Sequence, residues 1–192
     1  MSVMMTETPS AGIPQGRPFT VDDLEAMPDD GNRYELIDGM LVVSPAPGTR
    51  HQKVLMKLAV ALDAACPVGM HVLPAPFAVR PSPTTELQPD VLVAREVDLT
   101  EKLLPAAPVL AVEVLSPSSV INDMNNKKAA YERLGVASYW VVDPQAPSIT
   151  VFELSEGRYT QTAEVKDTDT LSVEIPFPVR ITPRDLLGTL AL

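Results

Sequence analysis

The sequence predicts an α/β fold in which a central mixed sheet is flanked by helices and extended by an added hairpin. Two apolar runs of strand length, 89–94 and 109–115, follow one another along the chain. Segments with helical spacing of apolar residues lie on either side of them, at 49–65 and 119–134. The run 109–115 has no polar alternation, which is typical of a strand covered on both faces. This alternation of helices with buried strands indicates a layered α/β domain.

Length and composition predict one globular domain. The chain has 192 residues, of which 45% are hydrophobic and 21% are charged, an ordinary balance for a domain with a substantial core. Residues 1–17 mix Ser, Thr, Pro, Gly and Met without periodicity and predict a flexible N-terminal tail. We therefore expect a single domain over 18–192.

Charge and cysteine content limit the classes of function. The formal net charge is -10 and the pI is about 4.6, which argues against a surface built for unspecific attraction to phosphate backbones. Cys66 is the single cysteine, so no internal disulfide can form, as expected in a reducing cytoplasm. The first residues lack the basic start and apolar stretch typical of a secretion signal, and no apolar run approaches the roughly 20 residues that span a bilayer. We expect a cytoplasmic protein.

The N-terminal part of the domain shows a short helix and a hairpin. Residues 20–23 have the spacing of a capping box and open the helix. Asp38-Gly39 separates the apolar runs 33–37 and 40–43, and this dipeptide between such runs is a strong hairpin signal. The two strands therefore precede the first long helix.

Two polar side chains in this region have two interpretations each. Glu35 shares a strand face with Ile37, because side chains alternate along a strand. It lies either in water on an edge strand or near a functional site as a third carboxylate. His51 continues the apolar stripe of the helix one turn before Leu55 and should face inward. It could serve as a ligand, a base or a purely structural hydrogen-bond partner.

The middle of the chain carries weaker signals. Residues 49–52 have capping-box spacing and mark the start of the long helix. Residues 71–80 have strand character and lead to the strand at 89–94, and the acidic segment 95–102 predicts a connector. Prolines within and just after 71–80 place that strand at an edge or make it irregular. The prolines are Pro74, Pro76, Pro81 and Pro83.

The C-terminal part continues the sheet. Gly135 ends the helix 119–134 in the usual position after the last turn. The remaining predicted elements are a strand at 139–143, hairpin strands at 149–154 and 159–162, a strand at 171–175, and a helix capped at 182–185.

Asp90 and Glu113 each lie in an apolar strand run. An ionised carboxylate among such neighbours is unfavourable unless a cation or a hydrogen-bond donor meets it. In the following helix, Lys127 lies about 40° from the centre of the apolar face near Tyr131, and Lys128 lies about 60° away. Lys127 is therefore the better candidate to point inward.

Two carboxylates with an inward lysine suit phosphodiester hydrolysis. Hard divalent cations such as magnesium bind one or two carboxylates and leave positions for water and substrate phosphate. A lysine nearby can orient water or stabilise the charge of the transition state. The alternative is a structural ion pair of Glu113 with Lys127, with Asp90 satisfied by solvent.

The ordered set of motifs resembles the Uma-type restriction-endonuclease-like family, formerly described as a domain of unknown function, within the PD-(D/E)XK nuclease superfamily. The predicted helices and strands between 49 and 143 match the αβββαβ core of that superfamily. The matching motifs run from Phe19 to Leu187. They are 33–39, Ser44-Pro45 with His51, Pro89-Asp90, 113–118, Asp123 with Lys127 and Tyr131, and 139–144.

The resemblance implies a restriction-endonuclease-like fold with Mg²⁺ or Mn²⁺ as cofactor. It implies that Asp90, Glu113 and the backbone carbonyl of Val114 are metal ligands and that Lys127 is the catalytic lysine. Leu115 departs from the superfamily signature, which has Lys at that position, and the following helix supplies the lysine instead. Secondary site residues are Glu35, His51 and Tyr131.

The expected function is that of a metal-dependent endonuclease acting on nucleic acid, with DNA as the expected substrate. A homodimer would allow paired cleavage, with the hairpin near 149–162 as a candidate contact. Two alternatives remain open, a non-catalytic binding module and a hydrolase of a small phosphorylated substrate. Cations that could line one side of the cleft are Arg33, Arg50, Lys53, Lys57, Arg80, Lys127 and Lys128.

Overall fold

The structure is a computed structural model that describes residues 16–116 and 122–191. The predicted tail at 1–17 lies almost wholly outside the described residues, and so does the predicted helix start at 119. Within them, no helix is long and apolar enough to cross a membrane.

Strands and helices alternate along the described chain. The strands are β1 (Arg33–Ile37), β2 (Met40–Ser44), β3 (Met70–Pro74), β4 (Ala78–Ser82), β5 (Thr85–Leu87), β6 (Val91–Arg95), β7 (Leu103–Leu104), β8 (Leu110–Val114), β9 (Ser138–Asp143), β10 (Ser148–Ser155), β11 (Arg158–Lys166), β12 (Leu171–Val173) and β13 (Val179–Ile181). The α-helices are α1 (Val21–Glu25), α2 (Thr49–Ala65), α3 (Lys128–Leu134) and α4 (Pro183–Leu187). A π-helical segment, Asn122–Lys127, leads into α3, and 3-10 turns lie at Glu96–Asp98 and Gly188–Ala191.

The central sheet has six strands in the order β11-β10-β9-β8-β6-β3. Strands β8 and β9 run parallel, whereas the other neighbouring pairs are antiparallel. The predicted α/β fold with a central mixed sheet and an added hairpin is therefore confirmed. The predicted helix and strand cores appear in the predicted order as α2, β3, β6, β8, α3 and β9.

Both faces of the central strands are covered. Val91, Val93 and Val112 pack in the same apolar cluster as Leu58 of α2. The alternate side chains, Leu92 among them, pack in a second cluster with Tyr131 of α3. Burial on both faces explains why β8 shows no polar alternation, because each side chain meets an apolar layer.

A second sheet of five strands has the order β2-β1-β5-β4-β7. The predicted hairpin joins β1 to β2, and its turn residues Asp38 and Gly39 have φ of 50° and 80°. Positive φ at both central residues is the conformation that the Asp-Gly dipeptide favours in a two-residue hairpin. This second sheet places Glu35 of β1 beside the central sheet.

Predictions over 71–80 were partly wrong. The segment is not one strand, because β3 is the edge of the central sheet and β4 belongs to the second sheet. Pro74 and Pro76 have no N–H to donate, so a continuous ladder cannot pass through them. The three-residue strand β5, which pairs with both β1 and β4, was not predicted.

Two boundaries and one helix type also differ from the predictions. Gly48 is the N-cap of α2, so Thr49 is already helical and does not form the predicted capping box. The segment Asn122–Lys127 is π-helical rather than α-helical. The last predicted strand, 171–175, ends at Val173 and pairs with β13.

Candidate active site

Asp90 lies in the loop before β6 and is only 1% exposed. Its Oδ1 accepts a hydrogen bond from Arg33 Nη1 at 3.0 Å. Its Oδ2 lies 3.0 Å from His51 Nε2 and accepts the N–H of Val114 at 2.8 Å. The alternative in which solvent satisfies Asp90 is therefore wrong, because protein groups take that place.

These neighbours keep Asp90 ionised. Burial alone would raise the pKa of this carboxyl group, but the hydrogen bond from His51 and the charge of Arg33 outweigh it and lower the pKa. The carboxylate thus gathers groups from β1, α2 and β8 around the loop before β6.

Glu113 projects from β8 toward the face that α3 covers. Lys127 Nζ lies 3.1 Å from each carboxylate oxygen of Glu113, and the Tyr131 hydroxyl donates to Oε1 at 2.9 Å. These side chains are at most 1% exposed. Lys128 points elsewhere, with its ammonium 3.6 Å from the centroid of the Phe152 ring. The prediction that Lys127 rather than Lys128 points inward is confirmed.

Glu35 completes this buried group from the second sheet. Its Oε2 lies 2.9 Å from Lys127 Nζ, and its Oε1 accepts the backbone N–H of Gln88 at 2.8 Å. Glu35 is 0% exposed, so the interpretation that places it in water is wrong. We call Glu35, Glu113, Lys127 and Tyr131 the Lys127 cluster.

Tyr131 is a hydrogen-bond donor within the Lys127 cluster. Burial raises the pKa of its hydroxyl well above the usual value, and the charges of Glu113 and Glu35 raise it further. The phenol therefore stays protonated and donates to Glu113.

Arg33 links the two carboxylate groups. Its Nη1 donates to Asp90 and to the carbonyl of Gln88 at 3.3 Å, and its Nε lies 3.5 Å from Glu35 Oε2. Burial opposes the charged form, but Glu35, Glu113 and Asp90 raise the pKa of the guanidinium. Sequence analysis named Arg33 only as one of several cleft cations. The period of two that puts Arg33 and Glu35 on one face of β1 is a signal that could have found it.

His51 has one ring nitrogen in use. Because the Asp90 carboxylate can only accept, His51 Nε2 is the donor of their hydrogen bond. Nδ1 is buried and has no hydrogen-bond partner among the described residues. The imidazole is 7% exposed, at the first turn of α2 as predicted.

A cavity of about 350 Å³ opens over Asp90. Its polar wall is formed by Arg33, Ser44, His51, Gln52, Asp90 and Ser116, and Val114 also lines it. Prolines 45, 47 and 76 provide much of the apolar wall. We call this space the Asp90 cavity. Glu113 and Lys127, at 0% and 1% exposure, lie behind its described wall.

The donor set suits a hard divalent cation. Asp90, Glu113 and the carbonyl of Val114 offer oxygen atoms, the ligands that Mg²⁺ and Mn²⁺ prefer. Strands β6 and β8 pair with Val91 opposite Val112, so continuing the same register sets Pro89 opposite Val114. Proline has no N–H that could donate a hydrogen bond to the Val114 carbonyl. Within the described residues, three or more acidic, His or Cys side chains do not converge on one metal position. The case for a divalent cation at this site therefore depends on the oxygen donors of Asp90, Glu113 and the Val114 carbonyl alone.

Comparison with known proteins gives the family. A family model named Uma2 and described as "Putative restriction endonuclease" matches residues 21–187. The chain belongs to this family. A search of curated proteins finds no significant match. One similar solved structure is the crystal structure of "a putative nuclease belonging to DUF820" from Anabaena variabilis. It is 17% identical, with a TM-score of 0.73, and the match covers 91% of this chain and 100% of that one.

Family membership and the shared fold support a nuclease-like protein. Leu115, two residues after Glu113, packs against the apolar cluster that contains Tyr131. The ammonium that contacts Glu113 instead comes from Lys127, at the end of the π-helical segment.

Proposed function

We propose that this protein is a metal-dependent endonuclease that hydrolyses phosphodiester bonds of nucleic acid, with DNA as the substrate. The observation that carries the proposal is the contact of Lys127 with both oxygens of Glu113, one strand away from Asp90. Strands β6 and β8 are neighbours, so the two acidic residues reach the same end of the central sheet. Two carboxylates and one ammonium at the end of a sheet suit charge stabilisation at a phosphoryl group.

Asp90, Glu113 and the carbonyl of Val114 would hold the Mg²⁺ or Mn²⁺ ion. When bound, such an ion polarises a phosphoryl oxygen and lowers the pKa of a coordinated water molecule. The chain's own groups have separate tasks. Arg33 and His51 orient Asp90 through the two hydrogen bonds to its carboxylate.

Lys127 is the proposed catalytic lysine. Its ammonium can hold a water molecule or balance negative charge on the phosphate oxygens. Glu35 and Tyr131 act as positioning residues, because Glu35 contacts the same ammonium and Tyr131 donates to Glu113.

Cleavage of plasmid DNA, single-stranded DNA and RNA tests this proposal. The purified protein is assayed with Mg²⁺, with Mn²⁺ and with a chelator, beside Asp90→Asn, Glu113→Gln and Lys127→Met. We expect metal-dependent cleavage of DNA that each substitution lowers by at least about 100-fold, the size of effect seen when one transition-state contact is removed.

Lys128→Met is the matched control for Lys127→Met. It removes the neighbouring lysine, whose ammonium lies over Phe152 and not in the Lys127 cluster. Its cleavage rate should stay within about twofold of wild type, as for a residue outside the transition-state contacts. Circular dichroism verifies that each variant is folded. Equal rates for Lys127→Met and wild type would show that the lysine assignment is wrong.

A second candidate function is hydrolysis of a small phosphorylated substrate. The Asp90 cavity has the volume of a small-ligand pocket, and the net charge of -10 disfavours long stretches of nucleic acid. Turnover of nucleotides without cleavage of any polymer would favour this function. Binding of nucleic acid by folded protein without turnover of either substrate would favour the non-catalytic module.

The same proposal includes a cytoplasmic homodimer. Strand β11 is an edge of the central sheet, and edge strands expose backbone groups that can pair with another chain. Light scattering after gel filtration measures the mass, and a monomer at all concentrations would contradict the dimer.

A further inference from the structure

Asp90, Val114 and Arg33 line a cavity rather than an open surface. Asp90 and Val114 are each 1% exposed, and the side chain of Arg33 is 23% exposed. Cavities of roughly 300–1,000 Å³ are the size that holds a small ligand, and the Asp90 cavity, at about 350 Å³, is near the lower limit. A phosphate that reaches Asp90 must therefore enter this space together with little more than its own nucleotide.

One wall of the cavity is the N-terminus of α2. The first helical hydrogen bond runs from Gln52 N–H to the carbonyl of Gly48, so the amides of residues 49–51 precede it. Gly48 is the N-cap and has no side chain that could accept from them. The helix has 17 residues, and the positive end of its dipole favours an anion.

His51 supplies a second, independent sign of a ligand. Its imidazole is more than nine-tenths buried, lines the cavity and leaves Nδ1 without a partner among the described residues. With Nε2 donating to Asp90, Nδ1 is the ring nitrogen left to meet a ligand in the cavity. A fitting ligand therefore combines an anionic acceptor for the helix amides and Arg33 with a hydroxyl group, which can donate or accept, for His51 Nδ1.

A nucleotide has both groups. Its phosphate can accept hydrogen bonds from amides and from a guanidinium, and its sugar or base can donate to a ring nitrogen. The apolar side of the cavity, formed by Pro45, Pro47, Pro76 and Leu55, suits the faces of a sugar and a base.

A neighbouring cavity could bind the nucleotides next to the one in the Asp90 cavity. It has a volume of about 450 Å³ and shares Arg33, Ala46, Pro47 and Pro76 with the Asp90 cavity. Paired DNA holds each nucleotide in a stack, and enzymes with enclosed sites act on single strands or extrude the target nucleotide. The net charge of -10 also disfavours a duplex, which needs many phosphate contacts.

We propose that the Asp90 cavity binds one unpaired nucleotide, with its phosphate between the N-terminus of α2 and Arg33 and its sugar or base near His51 Nδ1. This inference rests on the proposed nuclease function and narrows its substrate to single-stranded or unpaired nucleic acid.

Gly48→Asp is the substitution that tests the phosphate position. Gly48 has φ of -79° and ψ of 175°, an extended conformation that suits an aspartate N-cap, and an added Cβ would meet no atom within 4 Å. The new carboxylate would accept from the helix amides and repel phosphate. The variant should therefore fold at least as stably as wild type. Gly48→Ala is the matched control without a charge.

Binding is measured by calorimetry and fluorescence anisotropy in the presence of a chelator, so that metal-dependent cleavage does not interfere. The ligands are thymidine, thymidine 5′-monophosphate, a short single-stranded oligonucleotide and its blunt duplex. We expect the single strand to bind at least about tenfold more tightly than the duplex, and the monophosphate to bind at least about tenfold more tightly than the nucleoside. Gly48→Asp should lose at least about tenfold more affinity for both phosphate ligands than Gly48→Ala loses.

The result separates this inference from the nuclease proposal. Binding of the single strand that Gly48→Asp abolishes would support the nucleotide site even if no cleavage is found. Equal affinity for duplex and single strand, equal affinity of the two Gly48 variants, or no binding of either phosphate ligand by folded wild type would overturn it. The cleavage assay could still succeed in that case.

Discussion

Lys127 Nζ lies 2.9 Å from Glu35 Oε2, although the lysine precedes α3 and the glutamate belongs to β1 of the second sheet. The same ammonium contacts both oxygens of Glu113 on the central sheet. One ammonium thus contacts carboxylates from two sheets, in a place that solvent hardly reaches. Removing this lysine leaves two buried carboxylates without the ammonium that both contact, which is strongly unfavourable.

We predict that Lys127→Met lowers the free energy of unfolding by about 3–5 kcal/mol, because Glu35 and Glu113 would remain buried without the ammonium that both contact. Urea denaturation measures the change. Lys128→Met should lower it by less than about 1 kcal/mol, the usual size of a cation–π contact outside the core. Similar losses in the two variants would contradict the buried position of Lys127.

A double-mutant cycle tests the contact between Lys127 and Glu35 directly. Glu35→Gln in the Lys127→Met background removes one of the two buried negative charges that this ammonium contacts, so the double variant should be more stable than the sum of the single effects predicts. We expect a coupling free energy of about 1–3 kcal/mol, the upper part of the range for residues in one ion-pair network. Additive effects would mean that the two groups do not interact.

The sequence predicted the central layers of the fold because their signals are local. The stripe of apolar residues in α2 and the uninterrupted run of β8 each reflect burial that a short window reveals. The inward direction of Lys127 followed from the same helical periodicity. This prediction is correct although Asn122–Lys127 is π-helical, because Lys127 is the last residue of that segment and α3 begins directly after it.

Contacts between distant segments could not be predicted in the same way. The burial of Glu35 depends on pairing of β1 with β5, a strand of three residues whose sequence gives no strong signal. The role of Arg33 depends on the same second sheet. Arg33 belongs to β1 of that sheet, and it contacts Asp90 in the loop before β6 only because the two sheets lie side by side. Alternation along β1 showed which face the two residues share, but not what that face meets.

The hairpin of β10 and β11 docks on α3 through Glu132, which predicts a pH effect. The pKa of Glu132 is lowered because its carboxylate accepts the N–H of Tyr159, and Arg158 lowers it further. A carboxyl group with a lowered pKa in the folded state adds stability above its unfolded pKa of about 4.3. That contribution is lost as the pH falls through the lower folded value.

Glu132→Gln should therefore lower Tm at pH 7, and the difference from wild type should shrink as the pH falls below about 4. Thermal unfolding followed by circular dichroism at several pH values measures this. Glu174→Gln, which changes an exposed carboxylate, is the control and should show little difference at any pH. A constant difference between Glu132→Gln and wild type would contradict the lowered pKa.

Leu58 and Met56 test the orientation of α2. Leu58 is 0% exposed in the core under the central sheet, whereas Met56 is 61% exposed on the opposite side of the helix. Leu58→Ala should lower the free energy of unfolding by about 2–5 kcal/mol through lost burial and a cavity. Met56→Ala should change it by less than about 0.5 kcal/mol. Urea denaturation measures both changes. Comparable losses of stability in the two variants would mean that the face of α2 that carries Leu58 is not the one packed in the core.

The turn of the first hairpin provides a test of close packing. Gly39 and Gly31 have nearly the same positive φ, 80° and 83°, so a substitution by alanine strains the backbone equally at both. They differ in their surroundings, because a Cβ at Gly39 would lie 2.4 Å from Pro18 Cβ, whereas one at Gly31 would meet nothing within 4 Å. Gly31→Ala should lower the free energy of unfolding by about 1–2 kcal/mol, the usual value for a left-handed residue with a side chain. Gly39→Ala should lower it by about 1–3 kcal/mol more, as for overpacking, because either the turn or the segment at Pro18 must move. Equal losses in urea denaturation would mean that the segment at Pro18 does not pack on the turn.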